Sequence, residues 1–186
     1  MPTKLILIRH GQTDWNLERR YQGITDTGLN DEGIREAQKV KEALSSERVD
    51  KVYSSDRKRA LDFANLVFGG MAVEAMAAFR EIGFGAFEGL TYEEIMKRYP
   101  DAYVAWIKDP LKVLIPQGES VGSVKDRVFN AIHKIVNENK GKTLAIVTHA
   151  GPIAVIMHKL SGAKDFWEAW PEPGCVRIVE FELWPR

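Results

Sequence analysis

The sequence has few of the features that mark extracellular, membrane-spanning or nucleic-acid-binding proteins. A single cysteine, Cys175, excludes an internal disulfide, so we expect a reduced, cytoplasmic setting. Basic and acidic residues number 26 each, so no overall charge would attract a polyanion such as nucleic acid. No apolar run is long enough to cross a bilayer and no signal-peptide pattern is present, so we expect no association with membranes.

The length and the order of patterns indicate one compact α/β domain. A chain of 186 residues can bury a sizeable core. Short apolar runs alternate with amphipathic, helix-like stretches, which predicts an α/β/α sandwich of three layers with a mostly parallel central sheet. We expect a single domain over 1–186, with a small helical cap inserted at about 82–119, where two short helical patterns interrupt the alternation.

The boundaries of the elements follow from apolar spacing and from glycine and proline. The predicted strands are 4–8, 49–54, 73–79, 143–148 and 176–183. The predicted helices are 31–45, 57–68, 91–99, 102–108, 120–139 and 152–160. The polar stretch 11–30 is predicted to be a loop, and Ser55 or Asp56 is predicted to cap the helix that begins at 57.

Two histidines stand where apolar strands end. His10 follows the run 4–8, and His149 follows the run 143–148. Ligands bind in the crevice beyond the carboxyl ends of strands in an α/β sheet, and packing alone does not explain two histidines there. The other two histidines lie within helical patterns and are not assigned to a site: His133 and His158.

A third strand end carries a cluster of basic residues. Arg57, Lys58 and Arg59 follow the predicted strand 49–54 and begin the next helix. A helix N-terminus favours anions through its free N–H groups and its dipole. Arg59 therefore either directs a guanidinium into the crevice of the two histidines or belongs to a solvated basic face.

Six motifs follow one another along the chain. They are Arg9-His10-Gly11-Gln12-Thr13 with Asn16, Tyr21-Gln22-Gly23, Ser54-Ser55 with Arg59, Glu81-x-x-Phe84-Gly85-x-Phe87-Glu88-Gly89, Gly118-Glu119-Ser120 with Arg127, and His149-x-Gly151. In this order they resemble the histidine phosphatase superfamily, also called the phosphoglycerate mutase-like family. Three positions depart from the residues usual in that family without removing a catalytic group: Glu36, Phe63 and Ala150.

The resemblance implies a phosphomonoesterase. His10 would attack phosphorus and form a phosphohistidine, while Arg9, Arg59 and a protonated His149 would bind the phosphoryl oxygens. Glu81 would protonate the leaving oxygen and then activate water. Because the arginines supply positive charge, no metal and no other cofactor is expected. Further contacts to the substrate are implied for Gly11, Gln12, Thr13, Asn16, Gln22, Gly23 and Ala150.

Several alternatives stay open. Glu88 and Glu119 compete with Glu81 for the role of the acid. Family mutases carry added segments that this chain lacks, which favours hydrolysis over phosphoglycerate mutase-type transfer. The segment 84–120 resembles the branch that hydrolyses α-ribazole 5′-phosphate. A non-catalytic module that binds phosphorylated ligands is the alternative from another class, although the full catalytic set is present.

Two groups of aromatic residues each have two possible roles. Those of the cap either bury its helices or contact the organic part of the substrate: Tyr92, Tyr99, Tyr103 and Trp106. Those near the C-terminus belong to the core or to an interface: Trp167, Trp170 and Trp184. The expected partner is a small-molecule phosphate ester, and a homodimer is one option for the oligomeric state.

Overall fold

The computed structural model describes residues 2–162 and 166–181, which form a five-stranded sheet flanked by helices. The strands are β1 (Thr3–Arg9), β2 (Lys51–Ser54), β3 (Val73–Ala75), β4 (Thr143–Thr148) and β5 (Val176–Phe181). The helices are α1 (Asp14–Leu17), α2 (Asp31–Ala43), α3 (Lys58–Val67), α4 (Tyr92–Arg98), α5 (Pro100–Lys108), α6 (Val121–Glu138) and α7 (Ala150–Ser161). No helix within the described ranges has the length and apolarity needed to span a membrane.

The sheet has the order β3-β2-β4-β1-β5 and is mostly parallel, as predicted. Only β5 runs antiparallel, beside β1 at the edge. In the parallel pair of β1 and β4, Arg9 lies opposite Thr148. This register places His10 and His149, the next residue of each chain segment, side by side beyond the same edge of the sheet.

The alternating side chains of β1 divide the core into two apolar layers. Leu5 and Leu7 pack with α6, α7 and the segment 82–119 on one face. Ile6 and Ile8 pack with α2 and α3 on the other. All four side chains are fully buried, which stabilises the fold by roughly 1.5–3 kcal/mol each. The three-layer arrangement predicted from the sequence is confirmed.

Two element predictions were wrong because short elements carry little periodicity. The stretch 11–30 is not entirely a loop, since it contains the four-residue α1. The side chain of Thr13 accepts a hydrogen bond from Asn16 N, and Asn16 Oδ1 accepts one from Thr13 N, so a capping box holds this turn. The strand predicted at 73–79 ends at Ala75 and continues as a 3₁₀ turn over Ala77–Phe79.

The predicted cap of α3 was also wrong. The N-cap position is Arg57, whose side chain makes no capping bond. Asp26, from the distant loop, instead accepts a hydrogen bond from Lys58 N at 2.8 Å. Ser55 is bound to His149, and Asp56 is paired with Arg80. Local sequence could not show this, because the capping carboxylate lies 32 residues away.

The segment 82–119 contains a 3₁₀ turn over Gly85–Phe87 followed by α4 and α5. Thr91 and Glu94 form the predicted capping box of α4. Helix α5 begins at Pro100, two residues earlier than predicted, because proline is well suited to the first helical position. That the segment 82–119 is a cap on a single domain stays a prediction. Residues 182–183 of the predicted last strand, and Trp184, lie outside the described residues.

Candidate active site

His10 is held as a neutral imidazole with one nitrogen turned to a pocket. Its Nδ1 lies 2.7 Å from Gly11 O, and its Nε2 lies 3.3 Å from Arg59 Nε. The guanidinium can only donate, so Nε2 accepts and Nδ1 carries the proton. Burial, helped by the charges of Arg59 and Arg9, lowers the pKa of His10 well below its ordinary value. Nε2 is therefore unprotonated at neutral pH, with its lone pair directed at Arg59.

Arg59 is part of this site and not of a solvated basic face. Its side chain is fully buried, and its two terminal nitrogens donate to Thr25 O and Gly23 O, each at 2.9 Å. Asp26 lies 3.5 Å away and supplies a counter-charge. The guanidinium is thus fixed against the nucleophile by the loop that precedes α2. Arg57 and Lys58 do not share this position, since neither contacts His10.

Arg9 and His149 each have a buried side-chain nitrogen without a hydrogen-bond partner in the described part of the chain. Arg9 donates to Pro171 O at 2.6 Å, but its buried Nε has no hydrogen-bond partner in the described part of the chain. His149 Nε2 lies 2.8 Å from Ser55 Oγ, and that hydroxyl also accepts from Arg57 N. A hydroxyl can accept two hydrogen bonds and donate one, so this contact suits either tautomer of a neutral imidazole.

The protonated His149 expected from the resemblance is not what the structure favours. Burial, followed by the charges of Arg59, His10 and Arg9, lowers its pKa well below the ordinary value. Its Nδ1 is buried and unpaired within the described ranges, and its ring lies 4.9 Å from that of His10, centre to centre. His149 therefore lies beside His10 as a neutral imidazole.

Glu81 lies at the first turn of α7. One carboxylate oxygen accepts from Ile82 N and Gly151 N, each at 2.9 Å, and the other accepts from Ala150 N at 3.0 Å. A side chain at Gly151 would collide with the Glu81 carboxylate, so a glycine is required there. Burial raises the pKa of Glu81 and outweighs the opposite effect of these bonds and of the arginines. A raised pKa suits a proton donor.

The two competing carboxylates have structural partners. Glu88 accepts from Gly23 N and Thr25 N, and so holds the loop that binds Arg59. Glu119 accepts from Gly83 N at 2.8 Å and pairs with Arg127. Neither lines the pocket of His10, whereas Glu81 does.

Arg127 was a motif landmark without an assigned role. It donates to three backbone oxygens of the segment that carries the acid, those of Ala78, Arg80 and Glu81, over 2.7–2.8 Å. These bonds fix the chain on which the Glu81 side chain is mounted.

Three of the seven predicted substrate contacts line the pocket: Gln12, Asn16 and Gln22. The backbone N–H of Gln12 donates to the Glu36 carboxylate at 2.7 Å, so the departure at position 36 supplies a charged acceptor to this loop. Gln22 is held by Thr13, whose hydroxyl donates to Gln22 Oε1 at 2.8 Å.

The other four act from behind the pocket surface. Gly11 and Gly23 supply carbonyls to His10 and Arg59, and Ala150 supplies its N–H to Glu81. A Cβ atom on Gly11 would lie 2.5 Å from Gly33 O and 2.8 Å from the Phe63 ring, so the phenylalanine at position 63 closes the space behind the nucleophile. Thr13 is the fourth of these residues, and its hydroxyl holds the side chain of Gln22.

The pocket has a volume of about 440 Å³ and an aromatic wall. The wall combines one residue that follows α1 with residues of the cap and residues that follow α7: Tyr21; Phe84, Tyr103 and Trp106; Trp167 and Trp170. Trp106 is only 1% exposed, so it belongs to the core and to the wall at once, while Tyr92 and Tyr99 are substantially exposed and do not line the pocket.

Some pocket residues were missed by the sequence reasoning. Arg19 and Arg20 follow α1, and Glu172 and Pro173 precede β5. The two arginines stand three and four residues after Asn16, a motif residue, and this proximity was the only available signal. No local pattern marked Glu172, because only the fold brings it to the His10 crevice.

Two buried neutral histidines predict a loss of stability in acid. For His10 and His149 the folded-state pKa lies far below the unfolded value, so below about pH 6.5 the unfolded state binds more protons. The free energy of unfolding should then fall with decreasing pH, by up to about 1.4 kcal/mol per pH unit for each histidine. Glu81 opposes this in part, since its raised pKa favours the folded state in acid.

Urea unfolding followed by circular dichroism, between about pH 7.5 and pH 5.5, measures this dependence. The change in His10→Ala should be about half that of the wild type, because one of two protonation sites is removed. His158→Ala is the matched control, since His158 lies on α7 outside the pocket. An equal acid sensitivity in His10→Ala and the wild type would show that the buried imidazoles are not its cause.

Comparison with known proteins agrees with this geometry. The chain matches the family model for the histidine phosphatase superfamily (branch 1) over residues 5–183. It is 40% identical over 155 residues to phosphoglycerate mutase-like protein 4 of Arabidopsis thaliana, covering 81% of this chain and 67% of that protein. It is 31% identical over 183 residues to phosphoserine phosphatase 1 of Hydrogenobacter thermophilus, covering 96% and 87%. The crystal structure of the α-ribazole phosphatase of Shigella flexneri superposes with a TM-score of 0.85, at 28% identity over 96% of this chain and 91% of that one. The chain belongs to the histidine phosphatase superfamily.

Proposed function

We propose that this protein is a phosphomonoesterase that works through a phosphohistidine on His10. The observation that supports this most strongly is the orientation of the His10 imidazole. Its Nδ1–H is bound to Gly11 O, and its Nε2 lone pair faces the Arg59 guanidinium. A nucleophile is thereby fixed beside the group that would attract the phosphoryl oxygens.

The charges around His10 suit a phosphate dianion. A phosphomonoester carries close to two negative charges near neutral pH. Arg9 and Arg59 contribute two positive charges, and their guanidinium groups match phosphoryl oxygens in forked geometry. Arg9 Nε, a buried donor without a partner among the described residues, is a group that such an anion would satisfy. The protein's own cations thus supply the electrostatic stabilisation.

Two displacements at phosphorus complete the reaction. In the first, a bond forms between His10 Nε2 and phosphorus, the ester P–O bond breaks, and Glu81 gives its proton to the leaving oxygen. In the second, the Glu81 carboxylate takes a proton from water as the water oxygen binds phosphorus and the P–N bond breaks. Inorganic phosphate leaves, and His10 and Glu81 regain their first protonation states.

Hydrolysis is preferred to the two alternatives. The set of nucleophile, cations and acid is complete, and the raised pKa of Glu81 would serve no purpose in a module that only binds phosphorylated ligands. For a mutase, the phosphohistidine must be protected from water, whereas the acid motif of this chain runs from Glu81 to Gly89 without an inserted segment.

Two classes of organic group fit the pocket. A ring-bearing ester such as α-ribazole 5′-phosphate would pack on the aromatic wall, and a solved α-ribazole phosphatase superposes on nearly the whole chain. A phosphorylated amino acid is suggested by the phosphoserine phosphatase relative. A small ester of either class and the single cysteine, Cys175, both agree with a cytoplasmic setting.

Phosphate release from four esters tests the proposal: α-ribazole 5′-phosphate, O-phosphoserine, 3-phosphoglycerate and p-nitrophenyl phosphate. We expect turnover in EDTA at mildly acid pH, which favours the protonated form of a general acid whose pKa is raised. A kcat/KM for one ester at least about tenfold above the rest would identify its class. Failure to hydrolyse any of them would support the binding module, and formation of 2-phosphoglycerate from 3-phosphoglycerate would support the mutase.

A further inference from the structure

Among the described residues that line the pocket, one arginine has neither a role in the proposed reaction nor an ion pair. Three arginines line the pocket, and Arg9 belongs to the cluster around His10. Arg20 is engaged elsewhere, since it pairs with Glu18 and with Glu94 at 2.6 and 3.0 Å and also donates to a backbone oxygen. Arg19 is the third.

Arg19 has no comparable partner. It makes no ion pair within 4 Å among the described residues, although it lines the pocket and is solvent-exposed. The pKa of Glu93 is lowered mainly by the backbone N–H of Glu93 itself and by Thr91, and Arg19 adds only a weaker attraction. A guanidinium at the mouth of an anion-binding pocket is thus left free to bind an anion.

The backbone at Arg19 is in an unusual conformation. Its φ of 56° lies in the left-handed region, which costs a non-glycine residue free energy. The N–H groups of Arg19 and Arg20 donate to Asn16 O and Trp15 O at 3.1 and 2.8 Å, which fixes this turn after α1. The turn places Arg19 on the same pocket as Asn16, a residue of the phosphate-binding motif.

We infer that Arg19 binds a second anionic group, a carboxylate, on the organic part of the substrate. This inference rests on the proposed phosphatase function. A guanidinium binds a carboxylate through two parallel, charge-assisted hydrogen bonds. The pocket would then recognise a phosphorylated carboxylic acid at two points, with the phosphate on Arg9 and Arg59 and the carboxylate on Arg19.

A matched pair of esters isolates the carboxylate. 3-Phosphoglycerate and sn-glycerol 3-phosphate share a three-carbon frame and differ by a carboxylate against a hydroxymethyl group. We expect the wild type to prefer 3-phosphoglycerate by about tenfold in kcat/KM, mostly through KM. Arg19→Gln should bring the ratio of the two kcat/KM values close to one while leaving the hydrolysis of sn-glycerol 3-phosphate within about twofold.

Arg20→Gln is the control. It removes the same charge at the next position, from an arginine that is already paired with Glu94. It should leave the ratio unchanged. The substitution at position 19 adds no backbone strain, since glutamine tolerates the left-handed region no less well than arginine.

The failures of the two proposals are distinguishable. If the wild type hydrolyses p-nitrophenyl phosphate but shows no preference for 3-phosphoglycerate, or if Arg19→Gln keeps that preference, the carboxylate site is wrong and the phosphatase stands. An equal loss of preference in Arg20→Gln would likewise overturn the assignment to Arg19. If no ester is hydrolysed, including p-nitrophenyl phosphate, the proposed function fails and this inference fails with it.

Discussion

Replacement of His10 by alanine is expected to abolish phosphate release, with kcat reduced on the order of 10⁴-fold or more. The reason is that no second nucleophile replaces Nε2. His149, the neighbouring imidazole, is held through its own Nε2 by Ser55 and does not line the pocket. Phosphate release from p-nitrophenyl phosphate measures the loss.

His133→Ala is the matched control for this variant. His133 is half-buried on α6, away from the pocket of His10, and its ring contacts Phe181, so its substitution should not reduce activity. A second readout follows the intermediate, because ³²P from a labelled ester should become attached to the wild type and not to His10→Ala. Full activity in His10→Ala, or label bound to it, would falsify the mechanism.

Replacement of Glu81 by glutamine is expected to lower kcat/KM, which reports the first step, by about 10²- to 10⁴-fold for alkyl phosphates and by much less for p-nitrophenyl phosphate. An alkoxide requires a proton to leave, whereas p-nitrophenolate is stable without one. The second step should become limiting for the aryl ester, because the base that activates water is also removed. The phosphohistidine should therefore accumulate in Glu81→Gln and be detectable as retained ³²P.

The hydrogen bonds of Glu81 require a check on stability. Both of its oxygens accept from backbone N–H groups, so the amide nitrogen of a glutamine would face a donor. We expect a lower melting temperature but an intact fold, and activity should be compared well below that temperature. Glu119→Gln changes another carboxylate that accepts a backbone N–H of this segment, that of Gly83. It should leave the dependence on the leaving group unchanged. Equal losses for alkyl and aryl esters in Glu81→Gln would move the role of acid to another group.

The sequence was informative where a physical pattern was local. The apolar runs of β1 and β4 fixed both strands to within a residue or so, and the parallel sheet they imply brought His10 and His149 together. The cap of α3 by Asp26 could not be predicted, because the partner comes from a loop whose path depends on the whole fold. The neutral state of His149 was also hidden, since it follows from burial and from the charge of Arg59, which only the fold brings near.

The pocket wall shows a second limit. Trp106 could be assigned either to the core or to the substrate, and it serves both, a result that no periodicity distinguishes. Arg19 and Glu172 reach the same cavity from segments more than 150 residues apart, so only the folded chain shows that they belong together.

The buried guanidinium of Arg59 has a consequence for attempts to raise the thermostability of this protein. Its burial beside two neutral imidazoles is costly, and backbone oxygens and Asp26 offset only part of that cost. The active site is thus the region where the fold gives up stability for activity. Attempts to raise thermostability by selection without an activity screen would replace these residues first, whereas a bound oxyanion would stabilise the same protein without any substitution.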